Sequence, residues 1–269
     1  MTAIQARATH VPTPARNLTF VRQLRSEYLK LTSVRGTWWS VAIVAVITIG
    51  IAILVTSVIA GPVDNIMMAV LMPVQFTMLI AAILGVISVT GEYSTGMIRS
   101  TFTASPARGS VLAAKTVVLG AFMFIVSLVV FGIAAAAITP IAAGKDMPVA
   151  WTDPEKTILP ILAASAVMAL FALLGVGLGF LLRSGAGAIA VTVGIVFILP
   201  TVLQLMGMWL HDLTWIMDMV DYLPASVAPN VIMPSDGAPL SVPASWATLA
   251  AWPAAALLGS WAVLRARDV

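Results

Sequence analysis

The sequence predicts an all-α membrane protein with six transmembrane helices. Three observations predict this fold class: 60% of the 269 residues are hydrophobic, only 9% are charged, and the charged residues separate six long uncharged stretches. A soluble globular domain carries about 25% charged residues, so this chain has too few of them to cover a surface in water. Each stretch contains about 20 mostly apolar residues, which lets an α-helix cross the hydrocarbon core of a bilayer.

Helices are expected in these stretches because a backbone amide in hydrocarbon must find its hydrogen-bond partner within its own segment. The first stretch is too long for a signal peptide and follows a polar, basic segment, so we interpret it as an uncleaved span. The predicted cores of the six spans are 38–60, 66–89, 112–138, 158–182, 186–208 and 246–264.

The distribution of charge predicts the orientation of these spans. Six spans place both termini on one side, which carries 12 Lys and Arg residues and 3 acidic residues. The opposite side carries 2 Lys residues and 8 acidic residues. Lys and Arg accumulate in cytoplasmic loops, so we expect a multi-pass protein of the cytoplasmic (inner) membrane with both termini in the cytoplasm.

The segment before the first span is predicted to have two parts. Residues 1–16 contain two prolines and are predicted to be a disordered cytoplasmic tail, and residues 17–36 are predicted to form an amphipathic helix in the membrane interface. Basic side chains on its other faces suit anionic headgroups, and Gly36 is the expected bend into the first span. The alternative is a basic tail that only sets the topology. The apolar face of the helix consists of Phe20, Leu24, Tyr28 and Leu31.

The segment 90–115 is predicted to be a cytoplasmic loop that docks a partner. It is too long for a bare hairpin turn, and Gly96 and Pro106 interrupt its backbone. Between them we expect a short helix over 97–103. Glu92 lies where the second span leaves the bilayer, and its alternative interpretation is a solvated charge at a helix end.

Residues 209–245 form a long outer segment with five prolines. Its apolar stretches around 215–220 and 225–233 allow either short re-entrant helices or a surface loop. The transmembrane domain is therefore predicted over 37–264, with a cytoplasmic tail over 265–269. Gly175 and Gly179 have the spacing of a close helix contact, for which packing within one chain is favoured over a dimer seam.

Several kinds of chemistry find no support in the sequence. The chain has no cysteine, no G-x-x-x-x-G-K-[ST] loop and no H-E-x-x-H helix, so we expect neither an enzyme nor a cofactor or metal site. The six uncharged stretches also lack the ionisable groups that ion-coupled transporters use. An intramembrane enzyme is the weakest of the alternatives for the same reason.

At this point the order of residues in the segment 90–115 resembles a known family. Glu92, Thr95-Gly96, the run 105–108 (Ser-Pro-Ala-Arg) and Lys115 are similar to the loop between the second and third spans of ABC type-2 exporter permeases, particularly those of actinobacteria. The stretch 26–39 also resembles the opening of that family.

The resemblance implies a transmembrane permease subunit of an ATP-driven exporter. It implies two copies of a separate ABC ATPase, which would bind ATP and Mg, and a second permease chain that is identical or different. It also implies membrane lipid as a partner, no nucleic acid, and an external gate in the outer segment. The other candidate function is a non-transporting membrane scaffold or assembly protein that recruits a cytoplasmic partner. The residues that the resemblance assigns to coupling are Glu92, Thr95, Gly96, Arg99, Pro106, Arg108 and Lys115.

Overall fold

The computed structural model describes residues 19–61, 63–105, 107–209 and 214–266. Every element in these ranges is a helix. The predicted disordered tail 1–16, the first two residues of the predicted interfacial helix, Pro106 and the last three residues of the chain lie outside the described residues. In chain order the helices are α1 (Phe20–Ser33), α2 (Arg35–Val58), α3 (Met68–Leu71), α4 (Val74–Ser94), α5 (Met97–Ala104), α6 (Arg108–Ala143), α7 (Ile158–Leu182), α8 (Gly185–Val193), a π-helical turn (Gly194–Ile198), α9 (Leu199–Trp209), α10 (Thr214–Val220), α11 (Pro224–Ile232) and α12 (Val242–Ala266).

Six helices in the described chain are long and apolar enough to cross a membrane, which confirms the predicted fold class. Their ends differ from the predicted cores by at most five residues. The second span combines α3 and α4, and the fifth combines α8, the π-helical turn and α9. The six spans are Arg35–Val58, Met68–Ser94, Arg108–Ala143, Ile158–Leu182, Gly185–Trp209 and Val242–Ala266.

The second and fourth spans form the centre of the bundle. Their most apolar windows are 61% and 67% buried, whereas those of the first and fifth spans are each 22% buried. Glycines allow the backbones of α4 and α7 to lie in direct contact. A Cβ atom on Gly175 would overlap the carbonyl oxygen of Ala82, and a Cβ atom on Gly85 would overlap that of Ala172. Gly175 therefore packs within one chain.

The N-terminal helix α1 is separated from the first span by a break at Val34. This residue has an extended backbone (φ −84°, ψ 122°), and Gly36 lies in the first turn of α2. The predicted bend at Gly36 is therefore wrong by two residues. The chain turns at the β-branched residue Val34, which favours extended backbone, so no glycine is needed for this turn.

The segment 90–115 contains much more helix than a loop. Residues 90–94 are the last turn of α4, and residues 108–115 are the first two turns of α6. Both ends of the predicted loop are therefore helical, and the predicted short helix at 97–103 is confirmed as α5. A charged residue beside an apolar stretch predicts the end of a span, but Glu92 and Lys115 pair with each other and so remain compatible with continuous helix.

The outer segment between the fifth and sixth spans contains two short helices, α10 and α11. Helix α11 packs against α7 and α12, and its residues Ala225, Val227 and Val231 are buried. We call the end of the bundle that holds α1, α5 and the last turn of α12 the basic end. Its described residues include nine Lys and Arg but two acids, Glu27 and Glu92.

Candidate functional site

Four charged side chains meet at the basic end in a ring of ion pairs, which we call the ion cluster. Lys115 Nζ lies 2.6 Å from Glu27 Oε2 and 2.7 Å from Glu92 Oε1. Lys30 Nζ lies 2.7 Å from Glu27 Oε1 and 3.2 Å from Glu92 Oε1. Each lysine therefore contacts both carboxylates, and the ring as a whole is neutral.

The ion cluster joins three helices that are distant in sequence. Helix α1 contributes Glu27 and Lys30, which lie three residues apart and so share one face with Leu31. Helix α4 contributes Glu92 from its last turn, and α6 contributes Lys115 from its second turn. Burial makes these contacts strong: the side chains of Glu27, Glu92 and Lys115 are 4–6% exposed, and that of Lys30 is 25% exposed.

Glu27 and Lys30 of α1 stay ionised in spite of burial because opposite charges surround them. Burial alone would raise the pKa of Glu27, but the ammonium groups of Lys115 and Lys30 outweigh it and hold the pKa below 4.5. Burial alone would lower the pKa of Lys30, but the carboxylates of Glu27 and Glu92 outweigh it and raise the pKa above 10.5. Both groups of α1 are therefore charged across the physiological pH range.

The short helix α5 is attached to the ion cluster on its inner side. Lys30 Nζ donates a hydrogen bond to Thr101 Oγ1 at 3.3 Å, and Ile98 is buried. From α1, Gln23 Nε2 donates to the hydroxyl oxygen of Ser105 at 2.7 Å, directly after α5. The opposite face of α5 is exposed and carries Arg99, Ser100 and Thr103. Helix α5 therefore presents one face to solvent while its other face contacts α1 and the ion cluster.

The structure brings some of the residues predicted for coupling together and separates others. Glu92 and Lys115 meet in the ion cluster. Thr95 and Gly96 form the turn between α4 and α5, where Gly96 adopts the left-handed conformation that favours glycine (φ 72°). Arg99 is exposed on α5, and Arg108 lies at the start of α6, where its Nη1 donates to the Leu264 carbonyl oxygen at 3.0 Å. Pro106 is outside the described residues.

Two members of the ion cluster, Glu27 and Lys30, were not predicted as site residues. Glu27 is the single acidic residue among residues 1–36, and this isolation within a basic segment was the available signal. The predicted apolar face of α1 is divided in the structure. Leu31 is buried and Leu24 is partly buried against the bundle, whereas Phe20 and Tyr28 are 44% and 52% exposed and remain available to a membrane.

A cavity of about 430 Å³ lies beside the ion cluster. Leu31 of α1, Leu84 and Ile87 of α4, and Val118 and Leu119 of α6 form its apolar wall. The ion cluster forms its polar wall. The volume is within the range of small-molecule sites, which are about 300–1,000 Å³, so the interior at this end has room for the helices to shift or for an amphiphile to enter.

The attachment of α1 is expected to weaken in acid because of Glu27. A carboxyl whose pKa is lower in the folded state than in the unfolded state stabilises the fold at pH values above its unfolded-state pKa. This contribution is lost as the pH falls through the folded-state pKa. Between pH 5 and pH 3, the melting temperature of the wild-type protein in detergent should therefore fall more steeply than that of Glu27→Gln. The control is Asp153→Asn, which removes a partly exposed carboxylate from a surface ion pair and should keep the wild-type slope. Equal slopes for Glu27→Gln and wild type would contradict the prediction.

Comparison with known proteins identifies no family for this chain. No protein-family model matches the sequence, and a search of curated proteins finds no match.

Proposed function

We propose that this chain is the membrane permease subunit of an ATP-driven exporter of the ABC type-2 class. In this proposal two permease chains form the transport path, and a separate ATPase drives it by contact with α5. The single observation that carries the proposal is the ion cluster, because it connects α5 and α1 with two spanning helices. The resemblance of the residue order at 90–115 to exporter permeases supports the same conclusion.

The geometry at α5 suits the transmission of a movement. Helix α5 is joined to α4 by the two residues Thr95 and Gly96 and is followed closely by α6. A partner that pushes on the exposed face of α5 would act on the ends of both helices at once. Buried ion pairs resist separation strongly once their partners are desolvated, so the ion cluster would make α1, α4, α5 and α6 move as one body.

The orientation proposed from charge places α5 in the cytoplasm, where an ATPase would be available. The basic end then faces inward, as the positive-inside tendency requires, and the membrane is the inner membrane. Phe20 and Tyr28 on the exposed side of α1 would lie in the acyl region, and its basic side chains would lie at the headgroups. Helix α1 would then act as an interfacial helix beside the coupling helix.

The outer end of the bundle suits an amphiphilic cargo. A cavity of about 830 Å³ lies there, between the outer end of α7 and the helices α11 and α12. Leu159, Ile232 and Trp246 contribute apolar surface to it, and Glu155 and Lys156 contribute charge at its margin. In the proposal α10 and α11 are re-entrant elements that form the external gate of the path.

The proposal is tested by the proteins that accompany the chain from native membranes. Purification in mild detergent followed by mass spectrometry should recover a near-stoichiometric protein with a G-x-x-x-x-G-K-[ST] loop. Charge reversal of the exposed residue in Arg99→Glu should reduce this recovery at least several-fold, because the partner contacts α5. The matched control is Arg25→Glu, another exposed arginine at the basic end, but on α1.

The outcomes separate the two candidate functions. Recovery of the ATPase with wild type and Arg25→Glu, but not with Arg99→Glu, supports coupling through α5. Consistent absence of any such protein, with the chain still folded, would contradict the exporter proposal and favour a scaffold that recruits a different cytoplasmic protein. Both variants should retain the wild-type melting temperature, because single surface substitutions usually change stability by less than about 0.5 kcal/mol.

A further inference from the structure

Arg183 is a basic residue of the basic end that lies at the junction between the fourth and fifth spans. It caps α7 in the left-handed conformation (φ 52°), directly before the fifth span begins at Gly185. Its guanidinium lies over the ring of Tyr93, 5.7 Å from the ring centroid. Its Nε and Nη2 atoms are buried and have no hydrogen-bond partner among the described residues, and the same is true of the hydroxyl oxygen of Tyr93.

This arrangement is energetically unfavourable unless a hydrogen-bond acceptor is bound there. A buried polar group without a hydrogen bond costs free energy, and a buried charge costs more. No described carboxylate forms an ion pair with Arg183, whereas the ion cluster is internally balanced by two acids and two lysines. The guanidinium of Arg183 and the hydroxyl of Tyr93 therefore call for an anion that the described residues do not supply.

The surrounding backbone also favours an anion. Helix α8 begins two residues after Arg183. Its first amide groups lack intrahelical acceptors, and Ser184 Oγ accepts from the Gly187 amide at 3.4 Å, which leaves the earlier amides for an external acceptor. The absence of a Cβ on Gly185 leaves this helix start close to α4, since a Cβ atom there would lie 3.4 Å from Thr90 Oγ1. Thr90 precedes Tyr93 by one helical turn on the same face of α4, so the helix start and the guanidinium both lie against that face.

The location of Arg183 at the membrane surface indicates which kind of anion would bind there. The junction between α7 and α8 lies at the surface, where Leu182 is 42% exposed and Ser184 is exposed. It is also the end of two spanning helices, at the level where the headgroups of a bilayer lie. Basic pockets between spanning helices bind anionic lipid headgroups. We propose that Arg183 and Tyr93 form a site for the phosphate of an anionic phospholipid in the leaflet at the basic end.

The site is tested with purified protein in detergent and without any ATPase or transport, so its failure is distinct from failure of the proposed function. Phosphatidylglycerol should raise the melting temperature of the wild type, and phosphatidylcholine should do so much less. In Arg183→Gln the affinity for phosphatidylglycerol, measured by native mass spectrometry or titration, should fall about tenfold or more, as expected for loss of a charge-assisted hydrogen bond. Tyr93→Phe keeps the ring and should weaken binding less.

The controls distinguish this site from general attraction of a basic protein to anionic lipid. Arg25→Gln removes an exposed arginine at the same end and should bind phosphatidylglycerol like the wild type. Without lipid, Arg183→Gln should melt close to the wild type, because no described carboxylate pairs with the guanidinium and only its contact with the Tyr93 ring is lost. A lower melting temperature there would mean that Arg183 has an internal partner and would overturn the proposal.

Three further outcomes would overturn the proposal. The first is equal phosphatidylglycerol binding by the wild type and Arg183→Gln. The second is the same stabilisation from inorganic phosphate at equal concentration, which would make the ligand a free anion. The third is unchanged lipid binding together with reduced recovery of a protein partner, which would assign Arg183 to a carboxylate on that protein.

Discussion

Replacing Lys115 with methionine is expected to destabilise the protein by about 3–5 kcal/mol, the usual effect of removing one partner of a buried ion pair. Methionine preserves the unbranched shape and most of the length of the side chain but leaves Glu27 and Glu92 buried with Lys30 as their shared cation. The hydrogen bond from Lys115 Nζ to the Ser88 carbonyl oxygen is lost as well. The melting temperature in detergent should fall clearly, and α1 should become more accessible to proteolysis.

The matched control is Lys156→Met, which removes a lysine from an exposed pair. Lys156 Nζ lies 3.7 Å from Asp153 Oδ2, and the lysine side chain is 58% exposed. Such pairs contribute about 0–1 kcal/mol, so this variant should melt close to the wild type. Equal losses in the two variants would contradict the structural role of the ion cluster.

A compensating substitution tests whether the effect arises from charge imbalance. Adding Glu92→Gln to Lys115→Met leaves Glu27 and Lys30 as a balanced pair. The double variant should therefore be more stable than the sum of the two single effects predicts, with an interaction energy of about 0.5–3 kcal/mol. Additive losses would mean that Lys115 contributes through packing and not through its charge.

Replacing Gly175 with alanine is expected to have the second large effect. The new methyl group would overlap the Ala82 carbonyl oxygen, which belongs to the backbone of α4 and cannot move away as a flexible side chain can. Overpacking of this kind costs about 1–3 kcal/mol, and valine should cost more than alanine. The expected result is a lower melting temperature together with weaker association of the second and fourth spans.

Gly132→Ala is the matched control for this prediction. Gly132 also lies inside a spanning helix, α6, but no described atom beyond its chain neighbours and the nearby backbone of α6 lies within 4 Å of the position that its Cβ would occupy. The variant should be neutral or slightly stabilising, because alanine is favoured over glycine within helices by about 1 kcal/mol. If Gly175→Ala were as stable as Gly132→Ala, the close approach of α4 and α7 would be refuted.

The glycine contact between α4 and α7 and the ion cluster together restrict how α4 can move. The glycine contact holds α4 against α7 in the middle of the bundle, whereas the ion cluster holds α4 against α1 and α6 at its basic end. A displacement of α5 would therefore act on α4 at its end while its middle stays packed against α7. This arrangement favours a tilt of α4 about the glycine contact over a sliding movement along its axis.

The sequence predicted the number, length and order of the spans because hydrophobic length is a local property. Twenty apolar residues in hydrocarbon have few alternatives to a helix, so composition alone gave six spans with ends close to those observed. The short helix α5 was also predictable, since Gly96 and the proline at 106 mark its ends. The helical parts of the segment 90–115 were not predicted, because a charged residue such as Glu92 or Lys115, considered alone, resembles a helix end.

Only the tertiary structure decided which charged residues meet. Glu27 and Lys115 are 88 positions apart, and their pairing depends on how α1 folds back against α4 and α6. Likewise, nothing in the sequence indicated that two nitrogen atoms of Arg183 lack a hydrogen-bond acceptor among the described residues, because an unsatisfied hydrogen bond depends on all the surroundings of an atom. The length of an apolar segment decides how that segment alone interacts with the membrane, so the sequence determined the spans. Ion pairs and hydrogen bonds form between segments that are distant in sequence, so only the fold determined which charged residues are paired.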